Sequence, residues 1–501
     1  MPEPTDSPTD FDAALRALAK NRFVERLWQR DGTLFAHADG DLATARAARD
    51  GMGWLYGTQA LRDAVDGLAV LARVVERQRY DRVVVVAPAP IAAWCDAVGR
   101  HLKGKRGLPL VALWGTRPVD LGAALDGGRA NKPLWVLVAT ADAPTDACRG
   151  YAALRSHGVR PDDCVAIAPA GSALQRLAAT EAFRDVFPLP ADVGARFAAL
   201  SLATLVPAAL AGVVLHDALA RAEDLFDQGR DPEPALNPGV RLGAWLWAMG
   251  HERRHLWLSF SKDCRWFSTW VAHIAAVPGA RTLWPVPVSR LAAGAGQWAE
   301  RAPHGALLAV STFAHPDDPV AEAARAAGVP DEAFVLPEVS DWWAEAVRWQ
   351  FAMAAWGHLD RCNPFAAQGQ ARDVLATTTP TEMSLASMAE LPDALSAQLH
   401  GLGAGDRLAV SVAWPATPET QQRLQALLDA LGRATPAAVV VTGLDRWPTA
   451  TVGPLAAGAQ GLAVAVHGEV EDAAAVAWLS AAAAHGWRCT RGFLAGPPQP
   501  A

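Results

Sequence analysis

The chain has 501 residues, 51% of them apolar by type, with 45 basic and 52 acidic side chains and a formal net charge of −7. Such a length exceeds one ordinary core and supplies apolar material for two or three. The mild charge, with five lysines (Lys20, Lys103, Lys105, Lys132, Lys262) that never cluster, leaves no electrostatic footprint for nucleic acid.

The N-terminus, Met1-Pro2-Glu3-Pro4-Thr5-Asp6, is acidic and proline-rich, without the basic and apolar regions of a signal peptide. No apolar run reaches the ~20 residues needed to cross a bilayer, so neither membrane insertion nor export is expected and the cytoplasm is the default. Residues 1–12 read as a disordered tail. Phe11 to Trp54 reads as a helical lead-in, with Leu15, Leu18, Phe23, Leu27 and Trp28 at helical spacing. An amphipathic helix over Ala60–Tyr80 leads into Arg82-Val83-Val84-Val85-Val86-Ala87, a β-branched run without polar alternation, as in a strand covered on both faces. Leu108–Trp114, Leu134–Val138 and Cys164–Ile167 repeat the pattern with helical stretches between them, which predicts parallel βαβ units. Leu202–Asp227 reads as a helix broken near Pro207, ended by the turn chemistry of Gln228-Gly229-Arg230-Asp231-Pro232. A second series follows at Leu256–Phe260, Thr282–Val286, Ala306–Val310 and Ala333–Leu336, continued by Leu408–Val412 and Ala437–Val441. The predicted fold is α/β, two doubly wound parallel sheets in tandem, divided as 1–55 (tail and lead-in), 56–228 (first α/β domain) and 229–501 (second α/β domain with a C-terminal extension).

The six cysteines (Cys95, Cys148, Cys164, Cys264, Cys362, Cys489) form no Cys-x-x-Cys pair and read as buried thiols rather than zinc ligands or a disulfide framework. His251-Glu252-Arg253-Arg254-His255 matches the His-Glu-x-x-His zinc pattern, but a strand begins at Leu256, where a zinc helix should continue, so no metal is expected there. No motif asks for a cofactor. Trp245, Trp247, Trp342, Trp343, Trp349 and Trp356 sit at helical spacings that suit core packing or, if exposed, a carbohydrate or partner surface. Ser201 and Ser259-x-Ser261-Lys262-Asp263 show no His or acid at a recognisable triad spacing. Glu469-Val470-Glu471-Asp472 reads as a helix N-terminus.

Asp192-Val193-Gly194-Ala195-Arg196-Phe197-Ala198-Ala199-Leu200-Ser201 resembles the Gly-Gly-Arg-Tyr-Ser segment of the glucose-6-phosphate isomerases. Further similarity to that family, in the form found as the isomerase half of bacterial transaldolase–isomerase fusions, runs in order from about Phe23 to about Gly461. It is carried by Arg26-Leu27-Trp28-Gln29-Arg30-Asp31-Gly32-Thr33-Leu34, Pro169-Ala170-Gly171-Ser172-Ala173-Leu174, Asn237-Pro238-Gly239-Val240-Arg241-Leu242-Gly243 and Asn363-Pro364-Phe365. The resemblance implies two sugar-isomerase (SIS) domains, a site between them and a dimer. It also implies a phosphate cradle, a general base and ring-opening groups. The family's cradle loops correspond to Ala87-Pro88-Ala89-Pro90-Ile91-Ala92, with no glycine or hydroxyl and two prolines lacking N–H, and to Val138-Ala139-Thr140-Ala141-Asp142-Ala143-Pro144-Thr145. There Asp142 would repel a phosphate. The family's glutamate base aligns with Val277, and the chain has no Asp or Glu between Cys264 and Ala299. The family's C-terminal lysine falls near Leu455-Ala456-Ala457-Gly458, and Lys262 is the last lysine of the chain.

By the resemblance Arg196 remains, in the role of stabilising an enediolate; read on its own it is a helix-start arginine making an ion pair or covering a strand end. His273 is the candidate substitute base or a core histidine. Gly194, Thr140 and Thr145 are the candidate substrate contacts. Two functions follow as expectations: a carbohydrate-derivative-binding or scaffolding subunit without isomerase catalysis, as a homodimer or a heteromer with an active homologue, or an isomerase interconverting glucose 6-phosphate and fructose 6-phosphate with substituted residues.

Overall fold

The computed structural model describes residues 10–36, 41–78, 80–102, 107–113, 118–125, 132–143, 146–275, 283–288, 298–338, 341–366, 380–385, 387–412, 418–443, 460–467, 478–479, 482–483 and 487–494. Helices at Asp10–Lys20, Phe23–Trp28 and Leu42–Arg49 form the lead-in; residues 1–9 lie outside the described residues. Arg26, singled out from the sequence, donates from Nε to Asp31 at 2.8 Å and from Nη2 to the Thr33 hydroxyl at 2.8 Å, fixing the turn after the second of these helices.

The first sheet contains β1 (Arg82–Val86), β2 (Leu110–Leu113), β3 (Pro133–Val138), β4 (Cys164–Pro169) and β5 (Asp185–Leu189), all parallel in the order β2-β1-β3-β4-β5. The four valines of β1 are all buried because the sheet is covered on both faces. The second sheet contains β6 (His255–Phe260), β7 (Trp284–Pro287), β8 (Gly305–Thr312) and β9 (Asp331–Leu336), parallel in the order β7-β6-β8-β9. A third sheet was not foreseen. It contains β10 (Thr381–Leu385), β11 (Arg407–Val412), β12 (Ala438–Gly443), β13 (Gly461–His467) and β14 (Arg488–Leu494) in the order β10-β14-β13-β11-β12. The strands read as continuing the second series, at Leu408–Val412 and Ala437–Val441, pair within this third sheet.

One apolar cluster joins the first two sheets. Val83, Val85, Leu134 and Val136 on one side and Leu256, Leu258, Leu308 and Val310 on the other share it, through helices Ala89–Leu102, Leu202–Leu210, Pro238–Glu252 and Trp342–Leu359. The opposite face of the second sheet packs on the third. Trp257, Trp284 and Trp298 meet Ala409, Ala438, Ala463 and Ala465, so small residues on one sheet make room for large aromatics on the other. Trp245, Trp342, Trp343, Trp349 and Trp356 are buried, which makes them core rather than a ligand surface.

Pro207 does not break its helix. It lies inside Leu202–Leu210, and the chain turns instead at Gly212, whose φ of 88° lies in the left-handed region that glycine enters without steric cost, before the next helix at Leu215–Gln228. Asn237 caps helix Pro238–Glu252 by accepting from Val240 N–H at 3.1 Å.

Candidate functional site

The first sheet reverses direction at β1, with β2 on one side and β3 on the other, and doubly wound sheets bind ligands in the crevice at the carboxyl ends of the two strands flanking such a point. From β1 the chain passes through Ala87-Pro88 directly into helix Ala89–Leu102, with Pro90 in its first turn, so two N–H donors are missing where a phosphate would be cradled. One turn on, the fully buried Trp94 packs at 5.2 Å on Phe267, 4.9 Å on Trp270 and 4.7 Å on Trp343, ring to ring. Those three rings come from the half of the chain that carries the second sheet, so the flank of this helix is sealed by apolar contact.

After β3, Thr140 and Ala143 close a tight turn, Ala143 N–H donating to the Thr140 carbonyl at 3.1 Å. Thr140 is fully buried and its hydroxyl makes no hydrogen bond among the described residues. Thr145 lies outside the described residues. The next side chain, Asp142, accepts from the Ala195 N–H at 3.1 and 3.3 Å, at the head of the short 3-10 helix Ala195–Leu200. Gly194 precedes that helix in an extended conformation (φ −77°), so no left-handed turn requires it. A Cβ there would stand 3.1 Å from Asp142 Oδ2, so close approach of the carboxylate is what favours glycine.

Arg196 is 6% exposed and donates from Nη1 to the Pro364 carbonyl at 2.9 Å, while its Nε has no partner among the described residues. Burial pulls its pKa down to about 10, partly opposed by the Asp142 carboxylate. The Asn363-Pro364-Phe365 segment thus serves as the lid on this arginine, with the Phe365 ring 4.9 Å from Phe197.

His273 is 1% exposed on helix Phe267–Ala275, which packs against both helix Ala89–Leu102 and the Ala195–Leu200 turn. The structure therefore gathers Gly194, Arg196, the Thr140 loop and the helix of His273 around one turn. The positions aligned with the family's base and lysine, Val277 and Leu455–Gly458, lie outside the described residues, as does Glu469–Asp472.

The second sheet reverses between β6 and β8, and there the structure assembles a pair that spacing did not suggest. His315, after β8, places Nδ1 on the Asp263 carboxylate, after β6, and the Thr312 hydroxyl donates to the same carboxylate at 3.4 Å. Ser259 donates to Asp318 at 2.5 Å. A carboxylate that orients an imidazole in this way leaves Nε2 as a proton acceptor. The sequence offered no His at a recognisable spacing to Ser259-x-Ser261-Lys262-Asp263, and His315 lies 52 residues beyond Asp263; the signal is the position of both groups at the carboxyl ends of adjacent strands. His251 and His255 separate: helix Pro238–Glu252 carries exposed His251, and His255 opens β6, fully buried.

No helix among the described residues is long and apolar enough to cross a membrane. No family model matches the chain. Over 85 residues it is 36% identical to a glucose-6-phosphate isomerase from Nostoc, covering 17% of this chain and 16% of that protein. It is 37% identical over 87 residues to one from Desulfitobacterium hafniense, with the same coverage of each. The chain thus matches about one sixth of the length of these relatives. Among solved structures, a hypothetical protein from Thermus thermophilus superposes with a TM-score of 0.56 at 19% identity, covering 72% of this chain and 96% of its own. A glucose-6-phosphate isomerase from Chlamydia trachomatis superposes at 0.53 and 12% identity, covering 77% and 85%. The fold is glucose-6-phosphate-isomerase-like.

Proposed function

We propose that this protein is a glucose-6-phosphate-isomerase-like subunit that binds a carbohydrate derivative or scaffolds other proteins without isomerase catalysis. The observation that carries the reading is the Asp142 carboxylate on the Ala195 N–H, beside buried Arg196. Moving a proton between adjacent sugar carbons requires an anion cradle and a base within hydrogen-bond reach of the carbon acid. Here the carboxylate of Asp142, a solvent-exposed residue, takes the N–H that an incoming phosphate would use, and its like charge opposes an anion beside it. The loop after β1 offers prolines in place of donors. Arg196, enclosed against a carbonyl, has a structural role in this reading. The partner would be a second copy or an active homologue in the cytoplasm.

The test is conversion of glucose 6-phosphate to fructose 6-phosphate by the purified chain, with Arg196→Ala as control. We expect no turnover above background in either. Turnover typical of an isomerase, abolished in Arg196→Ala, would establish instead the second reading, an active aldose–ketose isomerase using Arg196 and His273. That alternative draws on the contact between the His273 helix and the Arg196 turn.

A further inference from the structure

The junction of the second and third sheets gathers three arginines and two histidines. Arg254, His255, Arg301, His304 and Arg407 converge at the starting ends of β6, β8 and β11, and Arg407 Nη2 donates to the Arg254 carbonyl at 3.0 Å while its guanidinium lies 5.3 Å from the Trp284 ring. His255 is fully buried between Trp257 and Trp284, and neither ring nitrogen has a hydrogen bond among the described residues. Its pKa is driven well below the ordinary histidine value, first by burial and then by Arg407, His304, Arg254 and Arg301, so the four lie within its electrostatic reach.

Asp406 acts on His304 and Glu300 on Arg301. Asp406 spends its oxygens on the backbone N–H groups of Gly403 and Gln460, at 2.8 and 2.7 Å. Arg301 is 2% exposed, its Nε and Nη1 have no hydrogen-bond partner among the described residues, burial lowers its pKa, and the exposed Glu300 is the acid that opposes the shift. A guanidinium taken out of water without a counter-charge is costly, and its planar fork matches the oxygens of a phosphate. Arg301 lines a cleft of about 140 Å³ together with Glu300, exposed Arg433 and buried Thr435. The Thr435 oxygen accepts from the Ala437 N–H at 3.3 Å, which leaves its own O–H to donate. That volume is several times what one water needs.

We propose that this cleft binds a phosphate group, free or as a small phosphate ester, with Arg301 as its buried ligand and Arg433 and Thr435 at its mouth. The site lies at the opposite side of the second sheet from the Arg196 turn and stands whether or not the isomerase reading holds. Phosphate supplies the missing counter-charge and ties the third sheet to the second.

The experiment is thermal unfolding of the full chain in potassium phosphate against potassium chloride at matched ionic strength, with glucose 6-phosphate as a separate arm. A ligand selective for the native state raises Tm, by about 2–4 °C for a gain of this class. We expect that rise with inorganic phosphate in the wild type and in Arg196→Met, and its loss in Arg301→Met, which should itself melt higher than the wild type when phosphate is absent. An equal rise with glucose 6-phosphate, also lost in Arg301→Met, assigns the site to esters; a rise with inorganic phosphate alone assigns it to the free anion. No rise with either, or an undiminished rise in Arg301→Met, overturns the proposal. Should Arg301→Met fail to fold, exposed Arg433→Met decides: about tenfold weaker phosphate binding supports the site, and unchanged binding overturns it.

Discussion

Arg196 and Arg301 are buried to similar depth, 6% and 2% exposed, and their surroundings answer the resulting charge differently. Beside Arg196 the chain supplies its own anion, Asp142, and a carbonyl from Pro364. Around Arg301 the acid in reach is the exposed Glu300, and two guanidinium nitrogens have no hydrogen-bond partner among the described residues. In the readings proposed above, the first place is closed to an anion by the Asp142 carboxylate and the second receives one at guanidinium nitrogens that no described residue bonds. Desolvation is the common cost, and the source of the compensating charge sets the outcome.

The strongest way to break this comparison is to open the first crevice. Trp94→Ala removes a fully buried indole from three aromatic contacts and should cost about 3–5 kcal/mol, read by urea unfolding. A loss under about 1 kcal/mol would mean that the crevice is not sealed as described. Next, Asp142→Ala strips the acceptor from Ala195 N–H and the nearby carboxylate from Arg196. Because Asp142 is exposed and water can reach the freed N–H, the substitution should cost about 1 kcal/mol, the net worth of an ordinary hydrogen bond. Unchanged stability would mean that Asp142 does not hold the Ala195 turn.

At the junction the sign can be worked out for pH. His255 stays neutral in the fold because its pKa is depressed, whereas in the unfolded chain it protonates near its ordinary value of about 6.5. The unfolded state therefore binds more protons below that pH, and stability falls as pH drops, by about 1.4 kcal/mol per pH unit for one such group. Unfolding between pH 7 and 5 should show this slope, reduced in His255→Gln; an identical slope in that variant would reassign it to other histidines. The smallest effect is expected for Asp263→Asn, because the side chains of Asp263 and His315 are 27% and 44% exposed. Solvent screening limits its loss to about 1 kcal/mol or less by calorimetry.

Ten of the fourteen described strands were legible in the sequence, the edge strands β2, β7, β9 and β12 among them, whereas β5, β10, β13 and β14 were not. β1, β3, β4, β6, β8 and β11 are buried along almost their whole length, and an unbroken apolar run announces that environment. β5, read as Asp-Val-Phe-Pro-Leu, alternates exposed with partly buried residues and holds a proline that only an edge tolerates. β10 is mostly exposed and carries a glutamate, so its pairing with β14 has no local signature. The site follows the same rule. Arg196 and Gly194 were visible by resemblance, but Asp142 looked merely repulsive because the N–H it accepts from is 53 residues away. His315 and Asp263 meet only once strand order is known.

The apolar cluster running from β1 and β3 to β6 and β8 has a mechanical corollary. Lobes that swing about a hinge to admit and release a ligand keep separate interiors; here the two lobes are glued through a common one. Breathing between them would expose buried tryptophans, so the pair is bound to melt as a single cooperative unit, and severing the chain near Gln228 should strand both fragments with bare greasy faces rather than yield two folded modules.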